Sequence, residues 1–219
     1  LRPEPGPVLA FDTSAAHCAA ALVSAEGARI AARHEEMARG QAERLMPLLE
    51  ETLAEAGLGW RDLGGLAVGV GPGNFTGVRI SVAAARGLAL ALGLPVHGIG
   101  TLEALAEGLP RPLVVAEDAR RGEIYWQLFE DAPSLPASTS PALGLPGDVP
   151  RLPGLRATGS AAQALGLATL APAQPLAVAM AQIAAARLAA GTLPQGRPAP
   201  LYLRAADAAP PSDPAPVIV

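Results

Sequence analysis

Leu66-Ala-Val-Gly-Val-Gly-Pro-Gly-Asn-Phe-Thr-Gly-Val-Arg79 sets a buried-strand pattern, a glycine-rich turn and a helix start side by side. Residues 66–70 form a short apolar run with β-branched members, the pattern of a strand covered on both faces of a parallel sheet. Gly71, Pro72 and Gly73 break the run, because glycine permits positive φ and proline donates no hydrogen bond. Thr76 is the expected cap of a helix that begins near Gly77. On this reading Gly71, Gly73, Asn74 and Thr76 present free backbone N–H groups at a positive helix end, which attracts phosphate or carboxylate. A strand-to-helix turn without any ligand fits the same spacing.

Composition removes several chemistries. All 16 basic residues are arginine, so the turn lacks the lysine of a nucleotide-binding P-loop, and Schiff-base catalysis is excluded. The single cysteine, Cys18, cannot form an internal disulfide. The N-terminal stretch 1–7 is too short and proline-rich for a signal peptide, and a cytoplasmic location is expected. No apolar run crosses the length of a bilayer without polar interruption, since the helix after Val78 carries Arg79, Ser81 and Arg86. A net charge of −4 argues against this chain alone gripping a nucleic-acid backbone.

Outward from the quoted stretch, residues 8–12, 18–23 and 28–35 read as three strands of a meander, the first ending in Asp12, Thr13 and Ser14. Leu45, Leu48, Leu49 and Leu53 recur at helical spacing up to Gly57, with Pro47 expected to start or bend that helix. Residues 78–92 form the next helix, closed by Gly93, followed by a strand at 95–99 and a short helix capped by Thr101. The order βββαβα then β is the unit duplicated in actin-like and ribonuclease-H-like α/β folds. A second, reduced copy is expected: strands at 113–117 and 123–129 joined by a turn with Asp118, Arg120 and Arg121. A proline-rich connection at 132–153, helices at 160–167 and 177–190 and a short strand at 201–203 follow. The expected division is 1–107, 108–207 and a proline-rich tail at 208–219.

Ala83, Gly87 and Ala91 lie four residues apart on the second helix and leave a stripe almost without side chains. It serves close packing on this chain's own sheet or on another molecule. His17, His34 and His97 form no helical metal-ligand pattern. Cys18 begins an apolar strand with no neighbouring base, the setting of an inert thiol. Asp12 either faces a cleft, where its carboxylate could hold a hydrated metal, or satisfies backbone groups at its strand end. Asp118, Arg120 and Arg121 are either an anion-binding turn or a solvated hairpin.

The chain resembles the bacterial TsaB (YeaZ) family of tRNA threonylcarbamoyladenosine biosynthesis proteins. The matching segments are Leu9-Ala-Phe-Asp-Thr-Ser14, Gln41-Ala-Glu-Arg-Leu-Met-Pro47, the stretch from Val68 to Arg79, Gly87-Leu-Ala, Asp118-Ala-Arg-Arg-Gly-Glu-Ile-Tyr125 and Pro200-Leu-Tyr-Leu-Arg204. The resemblance implies an ASKHA-type fold of two subdomains and a non-catalytic role in making threonylcarbamoyladenosine at position 37 of tRNAs that read ANN codons. It implies a TsaD-like catalytic subunit and a TsaE-like ATPase as partners, homodimers when the chain is alone, and tRNA reached only through the complex. No cofactor is implied for the lone chain; ATP or ADP with Mg belongs to the assembled complex. The implied partner surface is Leu45, Leu49, Val78, Ser81, Val82, Ala83, Arg86, Gly87, Leu90 and Ala91. A composite nucleotide or anion site would draw on Asp12, Thr13, Ser14, Gly71, Gly73, Asn74, Thr76, Asp118, Arg120 and Arg121. Many relatives place histidine where this chain has Gln41 and serine where it has Asn74. The rival class is an enzyme of this fold, or a glycoprotease-like one, acting alone with nucleotide or metal.

Overall fold

The computed structural model describes residues 6–130, 139–194 and 196–204. The expected tail at 208–219 and part of the 132–153 connection lie outside them.

The first lobe is built on a five-stranded sheet of β1 (Val8–Asp12), β2 (His17–Val23), β3 (Arg29–Glu36), β4 (Gly65–Gly69) and β5 (Val96–Ile99), in the order β3-β2-β1-β4-β5. β1 is central, antiparallel to β2 and parallel to β4, with Leu9 opposite Leu66. Its alternation sorts the core into two layers. Leu9 and Phe11 point to one layer, which holds α1 (Gln41–Glu55) and α2 (Phe75–Leu92); Val8 and Ala10 point to the other, which holds α4 (Leu176–Ala189). Pro47 lies inside α1 on its exposed side, where water can reach the carbonyl left without a donor.

The second lobe carries β6 (Leu113–Asp118), β7 (Ile124–Phe129), β8 (Ala142–Gly144), β9 (Arg156–Thr158) and β10 (Ala168–Thr169), ordered β10-β9-β6-β7-β8. α3 (Thr101–Ala106) packs Leu102 and Ala106 against Leu113, Val115 and Phe129 of this sheet. The two lobes therefore exchange helices. α3 comes from residues assigned to the first subdomain and covers the second sheet, while α4 comes from the second stretch and covers the first. The reduced second copy is visible in its helices, since the expected helix at 160–167 is a 3-10 turn at Ala162–Leu165.

Several local expectations are corrected. Asn74, not Thr76, caps α2: its side chain accepts from the N–H groups of Thr76 and Gly77, both at 3.0 Å. Thr101 is the first residue of α3 after the cap residue Gly100, and its buried hydroxyl has no hydrogen-bond partner among the described residues. Residues 201–203 form no strand; Leu201 instead donates its N–H to the Val70 carbonyl at 2.7 Å. β8, β9 and β10 were not anticipated. α2 is long and apolar enough, by length and composition alone, to cross a membrane even with Arg79, Ser81 and Arg86 in it. Here it lies along the sheet, with Val78, Val82 and Ala85 in the core.

Candidate functional site, a cleft between the lobes

The end of β1 and the turn before α2 interlock. The Thr13 hydroxyl donates to the Gly77 carbonyl at 2.7 Å, and the Asn74 N–H donates to the Ser14 carbonyl at 2.6 Å. A Cβ at Gly77 would overlap the Thr13 carbonyl, and one at Gly69 would overlap the Asp12 carboxylate. These glycines therefore serve the approach of one backbone to another. The cradle expected at the helix start is thereby closed in part. The N–H groups of Asn74, Thr76 and Gly77 already have partners within the chain.

Asp12 is fully buried. Its Oδ1 accepts from the Ser14 N–H at 3.0 Å and the Ser14 hydroxyl at 2.8 Å, and lies 2.8 Å from His17 Nε2. Its Oδ2 has no hydrogen-bond partner among the described residues and lies against Gly69. Among the described residues no three His, Cys, Asp or Glu side chains converge as a metal-binding group. With Oδ1 engaged by Ser14 and His17 and Oδ2 packed against Gly69, the Asp12 carboxylate offers no open side to a hydrated metal.

A cleft of about 1180 Å³ lies between the lobes. Ser14, Gly73, Asn74 and Thr76 line it from the first lobe, and Asp118, Arg120 and Arg121 from the second. Asp12, Thr13 and Gly71 are not among its lining residues. Arg120 and Arg121 have left-handed backbones, φ 64° and 58°, unusual for non-glycine residues. The turn is closed by Ala119 N–H to the Glu123 carbonyl at 3.0 Å and Arg120 N–H to Asp118 Oδ1 at 2.9 Å. Gln41, Tyr125, His17 and Arg204 also line the cleft and were missed as site residues. Gln41, Tyr125 and Arg204 lie within the motif segments, which was the available signal; nothing in the local sequence pointed to His17.

The expected partner surface divides by burial. Leu45, Leu49, Val78, Ser81 and Val82 are core residues, none more than 3% exposed, so they cannot touch a partner. Their helical spacing is that of the inward face of each helix. Ala83, Arg86, Gly87, Leu90 and Ala91 are exposed, and Leu90 reaches 85%. A Cβ on Gly87 would meet nothing within 4 Å among the described residues. Arg86 donates from Nε to the Pro198 carbonyl at 2.7 Å, so its guanidinium is partly committed within the chain.

Residues 31–140 match the family model described as TsaD, tRNA N6-adenosine threonylcarbamoyltransferase. The chain is 38% identical over 128 residues to the tRNA threonylcarbamoyladenosine biosynthesis protein TsaB of Escherichia coli, a match over 56% of this chain and 54% of that protein. It thus spans about half the length of that relative. The solved structure of YeaZ from Pseudomonas aeruginosa superposes with a TM-score of 0.75 at 30% identity, over 90% of this chain and all of that one. Component A of the (R)-2-hydroxyglutaryl-CoA dehydratase of Acidaminococcus fermentans superposes with a TM-score of 0.56 at 9% identity, over 84% of this chain and 99% of that one, a likeness of fold alone. Two five-stranded sheets with exchanged helices and the interlock of Asp12–Ser14 with Gly71–Gly77 are thus set in an actin-like ASKHA fold, and the chain belongs to the TsaB/YeaZ family.

Proposed function

We propose that this chain is the non-catalytic partner subunit of a complex that makes threonylcarbamoyladenosine at position 37 of tRNA. It binds a TsaD-like catalytic subunit through the outer face of α2. The observation that carries this reading is that face itself: Ala83, Gly87, Leu90 and Ala91 are exposed on an otherwise apolar helix, and Leu90 stands 85% open. Small residues let a second helix approach closely, and the exposed leucine supplies apolar area to bury. The same face pairs two copies when the chain is alone. A TsaE-like ATPase joins the assembly in the cytoplasm, and tRNA is reached only through the complex, in keeping with the net charge of −4.

The test is tRNA modification in a mixture of the other pathway proteins with ATP, bicarbonate, threonine and unmodified tRNA. Modification that requires this chain, with the chain alone inert, is the expected result. Equal modification without it rejects the reading.

The cleft favours a second reading, a nucleotide bound at Arg120 and Arg121. On this reading ATP or ADP with Mg binds only in the assembled complex, which is supported by the engagement of the Asn74, Thr76 and Gly77 N–H groups and of Asp12 Oδ1 within this chain. Calorimetry of the lone chain with ATP and Mg separates the cases: heat of binding would favour an enzyme acting alone.

A further inference from the structure

Residues 198–204 join α2 and Val70, just past β4, of the first lobe to the arginine turn of the second. On the first lobe, the Pro198 carbonyl accepts from Arg86 Nε at 2.7 Å, and the Leu201 N–H donates to the Val70 carbonyl at 2.7 Å. The Tyr202 hydroxyl accepts from Arg79 Nε at 2.8 Å. The Tyr202 ring lies 5.1 Å from that of Phe75, on whose face the Arg79 guanidinium sits at 3.6 Å. On the second lobe, Arg204 Nη2 donates to the Ala119 carbonyl at 2.9 Å and to Glu123 Oε2 at 2.6 Å. Ala119 and Glu123 are the two ends of the turn that holds Arg120 and Arg121 in left-handed backbone.

From these contacts we infer that residues 198–204 are a strap that sets the spacing of the two lobes. Tyr202 is its anchor, and Arg204 is its latch and a positioning residue for Arg120 and Arg121. The strap is short. Tyr202 and Arg204 are two residues apart, so the chain between anchor and latch spans at most about 7 Å even when extended. While both ends hold, the lobes cannot separate further along this edge. Arg204 itself lines the cleft, so the strap fixes the cleft width at the arginine turn. It also runs beside the proposed docking helix, through Arg79 and Arg86, so α2 and the arginine turn move as one body. This inference stands apart from the proposed function, because the strap acts within the lone chain.

The test is the distribution of distances between nitroxides at Glu50→Cys on α1 and Gln163→Cys in the second lobe, both exposed positions. Cys18 is buried, and burial first pushes its thiol up to about 11, so it stays unlabelled. The doubly labelled parent should give one narrow distribution. Arg204→Ala and Tyr202→Ala should each widen it at least about twofold, although the two residues fasten different lobes. An unchanged distribution in both overturns the strap. A change in Arg204→Ala alone also overturns it, because the latch would then act without the anchor. If Tyr202→Ala fails to fold, Arg79→Ala cuts the same anchor from an exposed helix position. Its unchanged width would be equally decisive.

Discussion

Thr13 and Gly77 are joined by a buried hydrogen bond across 64 residues of sequence, from the Thr13 hydroxyl to the Gly77 carbonyl at 2.7 Å. The contact locks the end of β1 to the first turn of α2, and the absence of a side chain at Gly77 lets the two backbones meet. Thr13→Val should lower stability by about 1 kcal/mol, the net worth of one such bond. Gly77→Ala should cost more, about 3 kcal/mol, because its methyl group collides with backbone. Urea unfolding of both variants checks the order; equal small effects would mean that the interlock yields easily.

The Asn74 cap makes a separate prediction. Its side chain accepts two N–H groups at the start of α2, so Asn74→Ala should destabilise by about 1 kcal/mol. Asn74→Ser, which keeps a side-chain oxygen able to cap, should restore most of that loss. Thermal unfolding of the three proteins decides it.

His97 should give a pH dependence of its own. It is 4% exposed, and burial first and the positive charge of Arg187 second hold its imidazole below the ordinary 6.5. The unfolded chain therefore takes up a proton near 6.5 while the native chain does not. The associated stability is present above that value and is lost as pH falls toward the native one. Unfolding midpoints should fall between about pH 7.5 and about pH 5.5, and the fall should be smaller in His97→Gln. Identical slopes would remove His97 from the account.

Cys18 should be inert in the native protein. It is fully buried and its thiol is pushed up to about 11, chiefly by burial and next by the charge of Glu35. Iodoacetamide at neutral pH should leave it unmodified until denaturant is added, as intact mass reports. Rapid native alkylation would contradict the burial.

The sequence made the first lobe legible where one periodicity ruled each segment. Val8 to Asp12, the leucines of α1 and the run before Gly71 carry their burial in their spacing, and Gly93 ends α2 as a left-handed cap. The second lobe was harder. β9 and β10 are three and two residues long, too short for any period to register. α4 is alanine on nearly every side, which hid the fact that it covers the first sheet. The motif singled out Arg120 and Arg121 but left an anion-binding turn and a solvated hairpin both open; that they line the cleft comes from the structure. The partner face was half legible: Leu90 and Gly87 are open, whereas Leu45 and Val82 are core. Spacing alone cannot say which side of an apolar helix meets its own sheet. The engagement of the α2 amides by Asn74 and Ser14 was invisible, because it depends on two segments meeting in space.

The measurement that tests the central claim most directly is the affinity of this chain for the TsaD-like subunit of the same organism, compared with Gly87→Leu and Leu90→Glu. Both positions are exposed, and a Cβ at Gly87 meets nothing within 4 Å among the described residues, so the variants should stay folded. The account predicts that each weakens binding at least about tenfold, roughly 1.4 kcal/mol. Two folded variants that bind as tightly as the parent would contradict it and remove the outer face of α2 from the interface.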